Sequence, residues 1–127
     1  MNLSVIGTGY VGLVTGTCFA DTGNQVCCVD IDLKKIEDLN NGIIPIYEPG
    51  LDVIFERNTK QKRLRFSTDL KKAVEESDII FLALPTPPGE DGSADLSYIL
   101  NVAKQLSTMI KSYKIIIDKS TVPVGTA

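Results

Sequence analysis

The chain has no histidine, and its three cysteines stand at 18, 27 and 28 without CxxC spacing. Zinc sites draw on those two residue types, so their scarcity argues against a metal centre. An odd number of cysteines does not make a disulfide framework. Cys27 and Cys28 adjoin in an apolar run, where neighbours on a strand point to opposite faces, and they read as small core residues in a reducing compartment. No apolar stretch approaches the ~20 residues that span a bilayer. The first apolar run has no basic residues ahead of it and stops at a glycine, so no secretory signal is expected and the expected location is cytoplasmic. A net charge of −3 and a pI of about 4.9 argue against nucleic acid or an anionic membrane as the partner. The one basic run, Lys60-Gln61-Lys62-Arg63-Leu64-Arg65, reads as a solvated loop ahead of a strand.

What the chain does have is 127 residues, 43% apolar and 23% charged, enough for one domain with a real core. Strand-like and helix-like segments alternate from end to end. Strands are expected at about 2–6, 25–30, 64–67, 78–84 and 114–118, and helices at about 10–22, 33–41, 50–58, 69–76 and 95–111. Gly23-Asn24 and Asn41-Gly42 are C-terminal stop signals for the first two helices. Asp69 can start the fourth helix, and Asp95 or Ser97 can cap the fifth. The runs Ile79 to Leu84 and Ile115 to Ile117 are continuously apolar, as suits parallel strands covered on both faces. The pattern predicts an α/β, Rossmann-like, doubly wound parallel sheet. Five strands are counted where the six-stranded dinucleotide fold has one more, so the expected sheet is truncated before its last strand.

Gly7-Thr8-Gly9-Tyr10-Val11-Gly12 follows the apolar run 3–6 and opens a helical segment. Asp30 closes the second apolar run about 20 residues further on. Together these form the dinucleotide-binding fingerprint in its proper context. Gly7 permits the tight turn, Gly9 lets the backbone approach a pyrophosphate, and Gly12 lets the helix pack closely. Unpaired N–H groups of the first helical turn point at the anion. Asp30 can accept from both ribose hydroxyls and would repel a 2′-phosphate, which favours NAD over NADP. The nearby Lys34 and Lys35 weaken that preference a little.

Two loops leave the carboxyl ends of strands, the edge where open α/β sheets bind ligands. In the first, 85–92, Pro85, Pro87 and Pro88 stiffen the backbone around Thr86, which can bond the cofactor or a bound water; an ordinary breaker-rich surface turn is the competing reading. In the second, 119–125, Ser120 and Thr121 can donate to a developing oxyanion or position a water. Neither is a plausible nucleophile without a histidine to activate it.

These residues, with the stretches GTGYVGL at 7–13, VDIDLKKI at 29–36, IYEPGL at 46–51, PTPPG at 85–89, ADLSYI at 94–99 and KSTVPVG at 119–125, resemble the N-terminal NAD-binding domain of the UDP-glucose/GDP-mannose dehydrogenase family. The resemblance runs over essentially the whole chain. It implies a cofactor-binding set of Gly7, Gly9, Tyr10, Val11, Gly12, Asp30, Lys35, Thr86 and Thr121. Within that set the Val11 backbone lies near the pyrophosphate, Asp30 and Lys35 hold the adenosine ribose, and Thr86 contacts the cofactor. Thr121 sits where cofactor, substrate and a catalytic water meet. The segment 47–51 shapes the cleft wall or is simply a proline-glycine helix start.

Members of this family oxidise a sugar 6-hydroxymethyl group to a carboxylate with two NAD⁺, through a cysteine thiohemiacetal and thioester. The family's catalytic cysteine, lysine, asparagine, aspartate and glutamate belong to later sequence, and Cys18, Cys27 and Cys28 do not match the cysteine motif. The resemblance thus implies an N-terminal fragment, 1–127, of a longer enzyme, without its central helix and C-terminal UDP-binding domain. Such a fragment is expected to be inactive alone. The whole enzyme would bind a UDP-sugar and is expected to be a homo-oligomer. The alternatives are a sibling acting on GDP-mannose or a UDP-N-acetylhexosamine, and a stand-alone NAD-binding module without catalysis.

Overall fold

The computed structural model describes residues 1–127. Five strands, β1 (Asn2–Ile6), β2 (Gln25–Val29), β3 (Leu64–Ser67), β4 (Ile79–Leu82) and β5 (Ile115–Asp118), alternate with five helices. These are α1 (Tyr10–Asp21), α2 (Leu33–Asn40), α3 (Leu51–Lys60), α4 (Leu70–Glu76) and α5 (Ser97–Met109). All strand pairs are parallel and the sheet order is β3-β2-β1-β4-β5. This is the doubly wound arrangement that the alternation predicts. β1 lies at the centre, and the chain leaves it first toward β2 and later returns on its other side as β4. That reversal is the topological switch point of such a sheet.

Period-2 alternation sorts the strand residues onto two faces. Leu3, Val5, Val26, Cys28, Leu64, Phe66 and Phe81 pack against Leu13 and Ala20 of α1, Ile36 and Leu39 of α2, and Phe55 of α3. On the other face, Ile6, Ile80 and Leu82 meet Val74 of α4 and Leu106 of α5, while Cys27 and Val29 meet Ala73. Cys27 and Cys28 therefore do face opposite ways. Complete burial of one large aliphatic side chain such as Leu13 or Ile80 contributes about 1.5–3 kcal/mol.

α1 is held between the sheet and α3, so its buried residues (Gly12, Leu13, Thr15, Gly16, Thr17 and Ala20) wrap much of the helix and most of them are small. A Cβ at Gly16 would stand 2.4 Å from Cys28 Sγ, so α1 can lie this close to β2 only with glycine there. The ends of α1 and α3 are also tied. At the carboxyl end, the fully buried Asn58 donates through Nδ2 to Asp21 Oδ1 at 2.9 Å and to Ile54 O at 2.7 Å. Its Oδ1 accepts from Arg63 Nε at 3.0 Å, and Arg57 pairs with Asp21.

Helix boundaries follow the capping signals with one exception. Asp32 and Asp69 are the N-caps of α2 and α4, accepting from Lys35 N–H and Lys72 N–H. Gly23 and Gly42 close α1 and α2 with the return hydrogen bonds of a Schellman motif. The N-cap of α5 is Leu96, not Asp95 or Ser97; the Asp95 carboxylate accepts only from Ser97 N–H, one step ahead of capping register. β5 also departs from expectation. Its run is apolar, but it is an edge strand whose Ile115 and Ile116 remain 43% and 47% exposed on opposite faces. No helix is long and apolar enough to cross a membrane.

Candidate functional site

The carboxyl ends of β1, β2, β4 and β5 converge on one edge, and backbone hydrogen bonds stitch them together. Gly7 N–H donates to Val29 O at 2.8 Å, Ala83 N–H to Ile6 O at 2.9 Å, and Lys119 N–H to Leu82 O at 2.9 Å. The glycine turn occupies the middle of this edge. Gly7 has φ +105°, and a Cβ there would lie 2.2 Å from Ala83 O, so both conformation and contact demand glycine. A Cβ at Gly12 would lie 1.9 Å from Gly7 O, so the first turn of α1 rests on the glycine turn itself, with Ala83 of the sheet edge also in reach. Gly9 differs: a Cβ there would meet nothing within 4 Å. Its missing side chain leaves open space rather than relieving a clash inside the protein.

That open space lies over the amino end of α1. The first intrahelical bond runs from Leu13 N–H to Gly9 O, so the N–H groups of Tyr10, Val11 and Gly12 have no partner within the helix. No side chain caps this end and its first turn holds no acidic residue, unlike α2 and α4 with their aspartate caps. Unpaired donors and the positive end of the helix dipole at an unobstructed concavity fit a diphosphate.

Asp30 ends β2 beside this turn. Its Oδ2 accepts from Thr8 N–H at 3.0 Å and from Thr8 Oγ1 at 2.7 Å, and its Oδ1 accepts from Asp32 N–H at 3.0 Å. Three protein donors occupy about three of the four lone-pair directions of a carboxylate, leaving room on Oδ1 for a ligand hydroxyl. Partial desolvation pushes the Asp30 pKa up, but the hydrogen bonds from Asp32 and Thr8 and the charge of Lys35 outweigh it and hold the carboxyl below its ordinary value. It is thus an ionised acceptor at neutral pH, suited to a ribose hydroxyl and hostile to a phosphate. Lys35 donates only its backbone N–H, to Asp32, and its side chain is exposed.

The two loops after β4 and β5 meet at Thr86 and Thr121, whose hydroxyl oxygens are 2.5 Å apart. One hydroxyl donates to the other, so the pair keeps one proton to offer outward. Ser120 is corrected by the structure. Its Oγ donates to Leu82 O and accepts from Leu84 N–H, both at 3.1 Å, which clamps the end of β4 and leaves no proton for an oxyanion.

Gly50 is the left-handed N-cap of α3 (φ +81°), so the segment 47–51 is a helix start. It is also more than that, because the Tyr10 hydroxyl donates to a Glu48 carboxylate oxygen. That hydrogen bond, with some desolvation and the charge of Glu48, holds the phenol pKa above its ordinary value. Cys27 and Cys28 are buried in β2, and burial pushes both thiols up, so neither supplies a thiolate. Cys18 is exposed on α1.

Thr8, Ala83 and Glu48 are site features that residue-by-residue reading did not single out. The only signal for Thr8 is a hydroxyl between the glycines of the turn. Two concavities, of about 290 and 470 Å³, lie elsewhere: one among Asn2, Gln25 and Arg65 at the amino ends of β1 and β2, the other between α2, α3 and β3. Neither includes a residue of the glycine turn.

All of residues 1–127 match the UDP-glucose/GDP-mannose dehydrogenase family, NAD binding domain. The chain is 54% identical over 124 residues to the UDP-glucose 6-dehydrogenase TuaD of Bacillus subtilis, covering 98% of this chain and 27% of that protein. Among solved structures, it is similar to a ternary complex of GDP-mannose dehydrogenase from Pseudomonas aeruginosa (TM-score 0.94, 39% identity, 99% of this chain and 30% of the other). It is also similar to a UDP-glucose dehydrogenase from Pyrobaculum islandicum (TM-score 0.91, 40% identity, 98% of this chain and 29% of the other). The chain thus spans less than a third of the length of these relatives.

Proposed function

This chain belongs to the UDP-glucose/GDP-mannose dehydrogenase family, and from that membership we propose that it is the NAD-binding portion of a UDP-glucose 6-dehydrogenase, a longer enzyme that converts UDP-glucose to UDP-glucuronate with two NAD⁺. The observation that carries the choice of sugar nucleotide is the 54% identity to TuaD, maintained over 98% of the chain. GDP-mannose is the competing substrate, favoured by the TM-score of 0.94 to GDP-mannose dehydrogenase, although identity there is only 39%.

NAD is the cofactor, and when bound it takes the hydride. The chain's own groups bind and orient it. The free N–H groups at the start of α1 hold the diphosphate, and Gly9 leaves the approach open. Asp30, with the charge of Lys35 beside it, takes the adenosine ribose and disfavours a 2′-phosphate. Thr86 contacts the cofactor. Thr121 presents its hydroxyl to a water or to oxygen charge developing at the sugar carbon. None of the three cysteines suits the nucleophile, since the thiols of Cys27 and Cys28 are buried and protonated and Cys18 is exposed on α1; the nucleophile and the acid/base groups are assigned, on family membership, to sequence beyond 1–127.

The test is an assay of the whole protein that contains this segment, with NAD or NADP and with UDP-glucose, GDP-mannose or a UDP-N-acetylhexosamine. Turnover of UDP-glucose with NAD, at two NADH per sugar, is expected; turnover of GDP-mannose alone would overturn the assignment. Residues 1–127 by themselves should form no NADH. A reading frame that stops after Ala127 would favour a non-catalytic NAD-binding module instead.

A further inference from the structure

α1 and α3 pack side by side and are joined at both ends. The carboxyl-end tie, the fully buried Asn58 with the half-buried Asp21, holds the helices together. The amino-end tie, Tyr10 with Glu48, is exposed to solvent, where a hydrogen bond contributes little to folding. It sits instead on the first residue of α1, between the open position at Gly9 and the N–H groups of the first turn. The Glu48 backbone is fixed from the α3 side, because its carbonyl accepts from Leu51 N–H at 3.0 Å just ahead of the left-handed Gly50. Ile44 and Ile46 of the same loop pack on the main core, and Leu51 is buried. The carboxylate is therefore carried on an anchored frame, while the Tyr10 ring, 52% exposed, has little else to hold it. Among the hydrogen bonds of the molecule, Glu48 takes the phenol and none of the free N–H groups of α1. It places negative charge near the positive helix end without occupying the donors.

We infer that Glu48 is a positioning residue for the cofactor: through its hydrogen bond to the Tyr10 hydroxyl it fixes the side chain of the first residue of α1, next to Gly9 and the free N–H groups, and ties the loop 41–50 to the diphosphate turn. This rests on NAD occupying the glycine turn and deepens that reading by assigning a task to the segment 47–51. Loss of the bond leaves the half-exposed ring and the loop untethered beside the diphosphate turn, so that part of the population must be reordered before NAD binds.

The experiment measures NAD affinity by calorimetry, and thermal stability alongside it, in the whole protein. Variants are Glu48→Ala, Glu48→Gln, Tyr10→Phe, the double variant Tyr10→Phe/Glu48→Ala, and Asp30→Ala as a reference for the cofactor site. Tyr10→Phe and Glu48→Ala should each weaken NAD about fivefold, the double variant also about fivefold rather than about 25-fold, and Glu48→Gln should retain most of the affinity. The melting temperature should stay within a degree or two of the parent (~2 °C). Unchanged affinity in Glu48→Ala while Asp30→Ala weakens NAD overturns the positioning role and leaves the cofactor site standing. Unchanged affinity in both overturns the two together. Tighter binding in Glu48→Gln would mean that the carboxylate repels the diphosphate, and that too overturns the role.

Discussion

Thr86 and Thr121 share a hydrogen bond, 2.5 Å between hydroxyl oxygens, although 35 residues separate them. It joins the loops after β4 and β5, so neither hydroxyl is placed independently of the other. Thr121→Val removes one partner but keeps the shape of the side chain. It is expected to lower kcat of the whole enzyme by about tenfold or more, with stability changed by no more than ~0.5 kcal/mol. Thr121→Ser should recover most of the rate. Steady-state kinetics and urea denaturation of the three proteins check this, and a Val variant with full kcat would remove Thr121 from the reaction.

Gly9 and Gly12 should behave oppositely when each is replaced by alanine. The methyl of Gly9→Ala meets no residue beyond its own chain neighbours within 4 Å, at an ordinary φ of −70°, so folding stability should hold within ~0.5 kcal/mol while NAD binding falls more than tenfold. The methyl of Gly12→Ala would strike Gly7 O and should cost about 1–3 kcal/mol or more of stability as well. Thermal melts beside NAD titrations separate the two cases; equal destabilisation in both would contradict the assignment of the open space to the cofactor.

Asp30 carries a pH signature. Its folded pKa lies below the ordinary unfolded value of about 3.9, so its contribution to stability is fully present above that value and is lost as pH falls through the folded pKa. NAD affinity should therefore be flat from neutral pH down to about 5 as far as this group is concerned. Asp30→Asn should weaken NAD about tenfold at neutral pH and remove part of the acid-side loss of stability. Denaturant titrations from pH 3 to 7 on both proteins test the sign. Stability that falls as Asp30 ionises would contradict it.

Asn58→Leu or Asn58→Ala should destabilise the domain by about 1–3 kcal/mol, because Asp21 and Arg63 lose partners and the Ile54 carbonyl loses a donor at a fully buried position. Urea unfolding gives the value. A change under 0.5 kcal/mol would mean that water replaces the amide and that the helix pair is held by apolar packing alone.

Element positions were legible because apolar runs bounded by Gly23-Asn24, Asn41-Gly42 and Asp69 carry their own start and stop chemistry. The half-exposed faces of β5 were not, although a sheet one strand short of six already leaves it outermost. An apolar run such as Ile115 to Ile117 states that both faces suit burial; it does not state whether helices cover them. Ser120 was misread for a related reason. A serine in a loop looks like a free donor, and its partners Leu82 O and Leu84 N–H lie 36 to 38 residues away, joined only by sheet register. Thr8 falls at a variable place in the glycine pattern, and its bond to Asp30 exists only once β1 and β2 are paired. The glycines themselves were legible because each answers a local steric demand.

The central place of β1 has a consequence for synthesis. One side of that strand pairs with β2 and the other waits for β4, where Leu3 meets Ile79 and Ile6 meets Leu82. A nascent chain leaves the ribosome amino end first, so the strand that bears the glycine turn stays half-paired until residue 82 has emerged. Until then Ile6, whose burial needs Ile80, Leu82 and α4, faces water. The central strand, and with it the floor of the glycine turn, is thus completed only when about two thirds of the domain's residues are available to pair.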